Sequence, residues 1–138
     1  MKQQYFSVFF FSVLFFSQAN LFNDTHTLEA VDPILLDGLS GIYTTDQYFK
    51  FQNPYLDTSL LGVYVIKRRL IKFIDNRSLL HNNGMNITQL LCHELMHHHW
   101  NTKMTSEQKD YWTKEANGSD ADEFHSEYYE KHWQRCFG

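Results

Sequence analysis

The pentapeptide His93-Glu94-Leu95-Met96-His97 brings together three side chains able to do chemistry as a group. Residues four apart on a helix project from one face, about one turn apart, so two imidazoles at this spacing can take two corners of a tetrahedral metal site. Zinc suits such ligands, and it lowers the pKa of a bound water towards neutrality. Glu94, next to the first histidine, then lies near the open corner, where a carboxylate can take the water's proton as it attacks a polarised carbonyl. Catalytic zinc normally takes three protein side chains. The sequence downstream offers Asp120, Asp122, Glu123, His125, Glu127 and His132 for the third place. His98 and His99 follow His97 directly, so they turn away from such a metal and read as polar surface near a helix end.

These side chains need a helix to carry them, and residues 87–100 supply one. Asn86 is its N-cap, and Ile87, Leu90, Leu91 and Leu95 fall at i, i+3, i+4 and i+8 on one face. Ahead of it, residues 62–75 are rich in β-branched and aromatic side chains and read as two strands broken near Lys67-Arg68-Arg69. The polar stretch 76–84 between them reads as loop. Thr105-Ser106-Glu107-Gln108 has the form of a capping box and opens a second helix, which Asn117-Gly118 ends. Tyr111 and Trp112 on it read as core. Ser119 opens a third helix to about residue 135. Residues 20–60 read as weakly structured, with only 34–39 or 42–51 as brief elements. Strands precede helices, so the expected fold is α+β: a small N-terminal sheet, then the active-site helix and two further helices.

The chain has 138 residues, and its 12 Lys and Arg against 16 Asp and Glu give a net charge of −4. That length fits a single domain. The acidic balance argues against a nucleic-acid partner, which calls for a basic stripe. Six of the 12 phenylalanines lie within residues 5–16, between the basic start Met1-Lys2 and the small-x-small sequence Ser17-Gln18-Ala19. This is the pattern of a secretory signal peptide, residues 1–19, cut after Ala19. It falls short of the roughly 20 apolar residues of a membrane span, so the expectation is a secreted or periplasmic domain, residues 20–138, with no stable membrane span after cleavage. Cys92 and Cys136 are the only cysteines, and an exported protein meets oxidising conditions in which the two can pair as a disulfide.

His93-Glu94-x-x-His97 is the H-E-x-x-H motif of zinc metalloproteases. Followed 26 residues later by Glu123-Phe124-His125-Ser126-Glu127, it resembles the gluzincins, zinc peptidases whose third ligand is a glutamate on a following helix. The resemblance implies His93, His97 and Glu123 as zinc ligands, Glu94 as the general base, and Glu127 as a carboxylate hydrogen-bonded to a liganding histidine. Residues 121–129 are similar to the corresponding helix of the anthrax lethal factor catalytic domain. They are also similar to a helix of bacterial metalloproteases that cleave repressors, and that alignment slides the register to make Asp120 the ligand. Asp120 and His125 therefore stand as alternatives to Glu123. The metzincin pattern needs a glycine and a third histidine soon after His97, where Trp100-Asn101-Thr102 stands instead. The resemblance further implies a sheet edge above the metal to hold an extended peptide, which only residues 63–75 could supply. Tyr128, His125 and His132 are the candidates for help to a developing oxyanion.

The functional expectation is a zinc metallopeptidase acting on a peptide or protein substrate. The alternative is a non-catalytic module in which zinc stabilises a binding or interaction surface and Glu94 is incidental.

Overall fold

The computed structural model describes residues 4–8, 20–46, 49–50 and 59–138, and over these the chain is a mixed α+β fold. In chain order the elements are β1 (Gln4–Val8), β2 (Asn20–Leu21), α1 (Thr25–Ala30), α2 (Pro33–Leu36), β3 (Gly41–Thr45), β4 (Phe49–Lys50), β5 (Ser59–Val65) and β6 (Leu70–Ile74). There follow α3 (Arg77–Asn82), α4 (Ile87–Thr102), α5 (Ser106–Ala116), α6 (Ala121–Lys131) and a closing 3₁₀ turn, Trp133–Cys136.

The expected strands at 62–75 form an antiparallel hairpin, β5–β6, that turns through Arg69 at φ 52°. Residues 61–65 and 70–74 are buried without a break, as in strands covered on both faces rather than one. The sheet runs β1-β5-β6-β3-β2, with β4 also pairing β5. β3 lies parallel to β6, and β2 antiparallel to β3. On the other side β1 lies parallel to β5, with Tyr5, Phe6, Ser7 and Val8 opposite Gly62, Val63, Tyr64 and Val65. This strand falls within the segment read as a signal peptide; the rest of that segment, including the Ala19 cut site, lies outside the described residues, as do residues 51–58. Among the described residues no helix is long and apolar enough to cross a membrane.

α4 is the central helix. Residues 90 to 98 are all buried, so it is surrounded rather than laid on the sheet by one face. Its start is the expected one: Asn86 Oδ1 accepts from the Gln89 N–H at 2.8 Å, and Gln89 Oε1 accepts from the Asn86 N–H at 2.9 Å. The reciprocal pair satisfies two donors that the first turn leaves without partners. Thr105 and Gln108 make the same box at the start of α5.

Four local expectations are corrected. The stretch read as loop contains α3, capped by Asn76 and seated by buried Leu80. Residues 25–30, within the weakly structured region, form α1, capped by Asp24. The third helix is capped by Asp120, not Ser119, and ends at Lys131. Tyr111 is 57% exposed and is not core. The expected pairing of Cys92 with Cys136 is present, with Cα atoms 5.9 Å apart. It ties the middle of α4 to the chain's end, where Asp32 N–H donates to Cys136 O and Gly138 N–H to Ala30 O, both at 2.9 Å.

Candidate metal centre

α4 and α6 pack side by side and antiparallel, which brings the front of one helix to the back of the other. His93 and His97, one turn apart on α4, turn their Nε2 atoms to within 3.2 Å of each other. Glu123, in the first turn of α6, faces both: Oε1 is 2.8 Å from His93 Nε2, and Oε2 is 3.2 Å from His97 Nε2. One ligand atom from each of the three lies within 4.8 Å of the others, so the group could hold a metal ion. The histidines are buried, while the Glu123 side chain is 28% exposed and marks the side open to solvent.

The second nitrogen of each histidine is held from behind. His93 Nδ1 lies 3.0 Å from Glu130 Oε1, and His97 Nδ1 lies 2.9 Å from Asp122 Oδ1. An Nδ1–H that donates to a carboxylate leaves Nε2 as the lone-pair nitrogen aimed at the cluster. Glu127, expected in this role, is exposed. The antiparallel register explains the difference. Glu130 is seven residues beyond Glu123, two turns along the same stripe, where α6 passes His93. Asp122, one residue before Glu123, lies where α6 passes His97.

The other third-ligand candidates fall elsewhere. Asp120 is spent as the cap of α6, accepting from the Glu123 N–H at 3.1 Å. His125 is buried about 200° round the helix from Glu123, with its ring 4.8 Å from Trp112 and 5.0 Å from Tyr129. His132 ends the helix with its ring 4.5 Å from that of Tyr128, and Arg135 lies over Tyr128. Tyr128, His125 and His132 thus pack with one another and their neighbours, and none joins the cluster. His98 turns away from it, as expected, but is buried rather than surface. Its Nε2–H donates to Asp37 O at 2.7 Å, so its Nδ1 accepts from the Tyr64 hydroxyl at 2.8 Å.

Glu94 completes the arrangement. Its side chain is buried, and neither carboxylate oxygen has a hydrogen-bond partner among the described residues. Space for it comes from β5: a Cβ on Gly62 would stand 2.7 Å from Glu94 Oε2. Burial pushes the Glu94 carboxyl up to about 8, against the pull of His93 and His97. Burial also works against charge on the two histidines. The carboxylates outweigh it, Glu123 and Glu130 at His93 and Asp122 and Glu123 at His97, and raise both imidazoles above their usual range. Glu123, which burial alone would raise, is held at about 2 by its two histidine partners. Asp122, Glu123 and Glu130 gather three carboxyl groups around the two imidazoles, an arrangement that attracts positive charge.

Sequence reasoning missed Asn101, whose Nδ2 donates to His97 O at 2.7 Å and to Asp122 Oδ2 at 3.3 Å. It also missed Glu130, for which the seven-residue spacing from Glu123 was the available signal. No protein-family model matches this chain, and no curated protein or solved structure matches it. The resemblance to gluzincins therefore rests on the motif and on the place of Glu123 in the cluster.

Proposed function

We propose that this chain is an exported zinc-dependent peptidase, with His93, His97 and Glu123 as the ligands and Glu94 as the general base. The observation that carries the reading is the Glu94 carboxylate: buried, without a hydrogen-bond partner among the described residues, and roomed by a glycine beside a three-ligand cluster. A buried carboxylate without partners is costly and calls for an explanation. Two imidazoles and one carboxylate are also the ligand set of one group of catalytic zinc sites.

Zinc bound there would supply Lewis acidity and a water acidified to near neutrality. The chain's own residues account for the rest. Glu130 and Asp122 fix the ring orientation and tautomer of His93 and His97. Glu94 accepts a proton from the attacking water and delivers it to the leaving amine nitrogen. A desolvated carboxylate takes up a proton more readily than an exposed one, and metal charge close by offsets that effect, which tunes the base to its task. β5 passes the site at Gly62 with β6 on one side and β1 on the other, so an extended peptide could pair with its backbone there only in place of β1.

The test combines metal content with hydrolysis of a peptide library. Wild type should retain about one zinc per chain after dialysis against a weak chelator. Glu94→Gln should keep that zinc and lose activity by about 10²–10⁴-fold. Glu123→Ala should lose the zinc. Hydrolysis that survives in Glu94→Gln would refute the mechanism. A zinc-loaded wild type that cleaves nothing in the library would favour the non-catalytic module.

A further inference from the structure

Glu94 meets the sheet at Gly62 of β5, where a Cβ would stand 2.7 Å from its Oε2. An extended chain brought to that carboxylate needs a place beside Gly62, and a strand has two lateral sides. β6 takes one of them, pairing antiparallel with β5 from Gly62 to Val65. β1 takes the other over the same four residues, with Tyr5 opposite Gly62 and Val8 opposite Val65. Neighbouring strands lie about 5 Å apart. The backbone of residues 5–8 therefore stands in the nearest position to Glu94 that an incoming strand could take.

β1 is also the last strand on its side of the sheet. Its outer side offers the alternative place for a peptide, one strand further out and about 10 Å from β5. A glutamate side chain seated against Gly62 is too short to span that distance. Pairing through main-chain groups gives affinity without regard to side-chain identity, so β1 can stand in for a peptide without resembling any particular substrate. It is joined through residues 9–19 to β2, at the opposite end of the sheet. A free peptide thus competes with a strand of the same molecule, which is always present.

We propose that β1 is an internal occupant of the peptide position: in the chain that keeps its amino terminus, residues 5–8 fill the strand site beside Gly62 and Glu94 and exclude an extended polypeptide from it. The inference rests on the reading of the Glu94 site as one that takes a peptide. It makes β1 a competitor for binding and gives it no part in the chemistry.

The experiment uses the full chain, residues 1–138, loaded with zinc. In wild type, NMR contacts should join the backbone of residues 5–8 to that of residues 62–65. Two variants then test the consequence, Phe6→Pro and Ser7→Pro. Alternate N–H groups of a strand face its neighbour, so one proline removes a donor to β5 and the other a donor on the outer side. The first should speed amide exchange about five- to tenfold within residues 62–65, and the second should not. Exchange in α4 should stay at the wild-type level in both, which reports an intact fold. A labelled copy of β1, acetyl-Gln-Tyr-Phe-Ser-Val-amide, should bind the opened variant about five- to tenfold more tightly than wild type. Peptide hydrolysis in that variant should show KM lowered by the same factor and kcat unchanged. Absence of the backbone contacts in wild type, or equal binding of the copy to wild type and to both variants, would overturn the inference. If exchange and binding respond as stated while no peptide is cut, the occupied strand site stands and the peptidase reading falls.

Discussion

Asp122 Oδ1 stands 2.9 Å from His97 Nδ1, while Asn101 Nδ2 reaches the other oxygen of the same carboxylate at 3.3 Å. Glu130 holds His93 in the same way. Each imidazole is thus oriented from behind by a carboxylate that does not itself join the three-ligand group. Removing such a support weakens metal binding by about 10–100-fold without removing a ligand. Asp122→Ala and Glu130→Ala should each show a loss of that size in competition with a chromophoric chelator, and Glu127→Ala should show none.

Gly62 is the point where the sheet comes closest to the Glu94 carboxylate. A methyl group there meets Glu94 Oε2 at 2.7 Å and Leu90 Cδ1 at 3.1 Å, closer than packed atoms tolerate. Gly62→Ala should displace the Glu94 carboxylate and destabilise the fold by about 1–3 kcal/mol. Zinc content should stay at the wild-type level while peptide hydrolysis falls, and a chemical denaturation curve measures the stability cost on the same sample.

Lys72 should make stability climb between about pH 8 and pH 10, read as the difference between wild type and Lys72→Met, because the raised His93, His97 and Glu94 contribute with the opposite slope. Lys72 is 1% exposed, and burial lowers its ammonium to about 8 from 10.5. Between those values the unfolded chain binds the proton that the folded chain has released, so raising the pH relieves a cost carried by the native state. The slope is at most about 1.4 kcal/mol per pH unit for one proton. Above pH 10 the direction reverses, because burial raises the Tyr64 hydroxyl to about 12 and the folded state then holds the extra proton. Below about pH 6.5 stability should fall again, since burial lowers His98 and the unfolded chain takes up its proton first. Urea midpoints from pH 5 to pH 11 trace the profile, and Lys72→Met should flatten the rise.

The Cys92–Cys136 bridge closes a span of 44 residues. On the chain-entropy account a loop of that size contributes about 3–4 kcal/mol. Reduction, or the double substitution Cys92→Ala with Cys136→Ala, should lower the melting temperature accordingly. The bridge begins at the residue preceding His93, so the reduced protein should also bind zinc more weakly.

The parts of this molecule legible in its sequence are those with strong local signals. Asn86 with Gln89, and Thr105 with Gln108, mark the helix starts through their own side chains, and the turn at 67–69 separates two β-branched runs. α1 and α3 escaped because each is only six residues long; in α3 only Leu80 is buried, and in α1 nothing is. His98 was misread because a polar residue late in a helix usually meets water, whereas here Asp37 and Tyr64, far off in sequence, fold over it. The His93, His97 and Glu123 cluster was readable as a set because the motif lies within one turn of α4 and Glu123 lies on one following helix. Their supports were not. Glu127 and Glu130 are both acids on the same helix, and the antiparallel register of α6 on α4 decides between them.

β1 sits along β5 opposite Gly62 to Val65, the stretch beside which a peptide would have to lie to reach Glu94. Cleavage after Ala19 would strip that strand away and bare a row of backbone donors and acceptors on a sheet edge. Edges of that kind recruit extended chains. On the proposed reading of residues 1–19 as a cleaved signal, one cut at the amino terminus would remove β1 and leave that side of β5 unpaired from Gly62 to Val65.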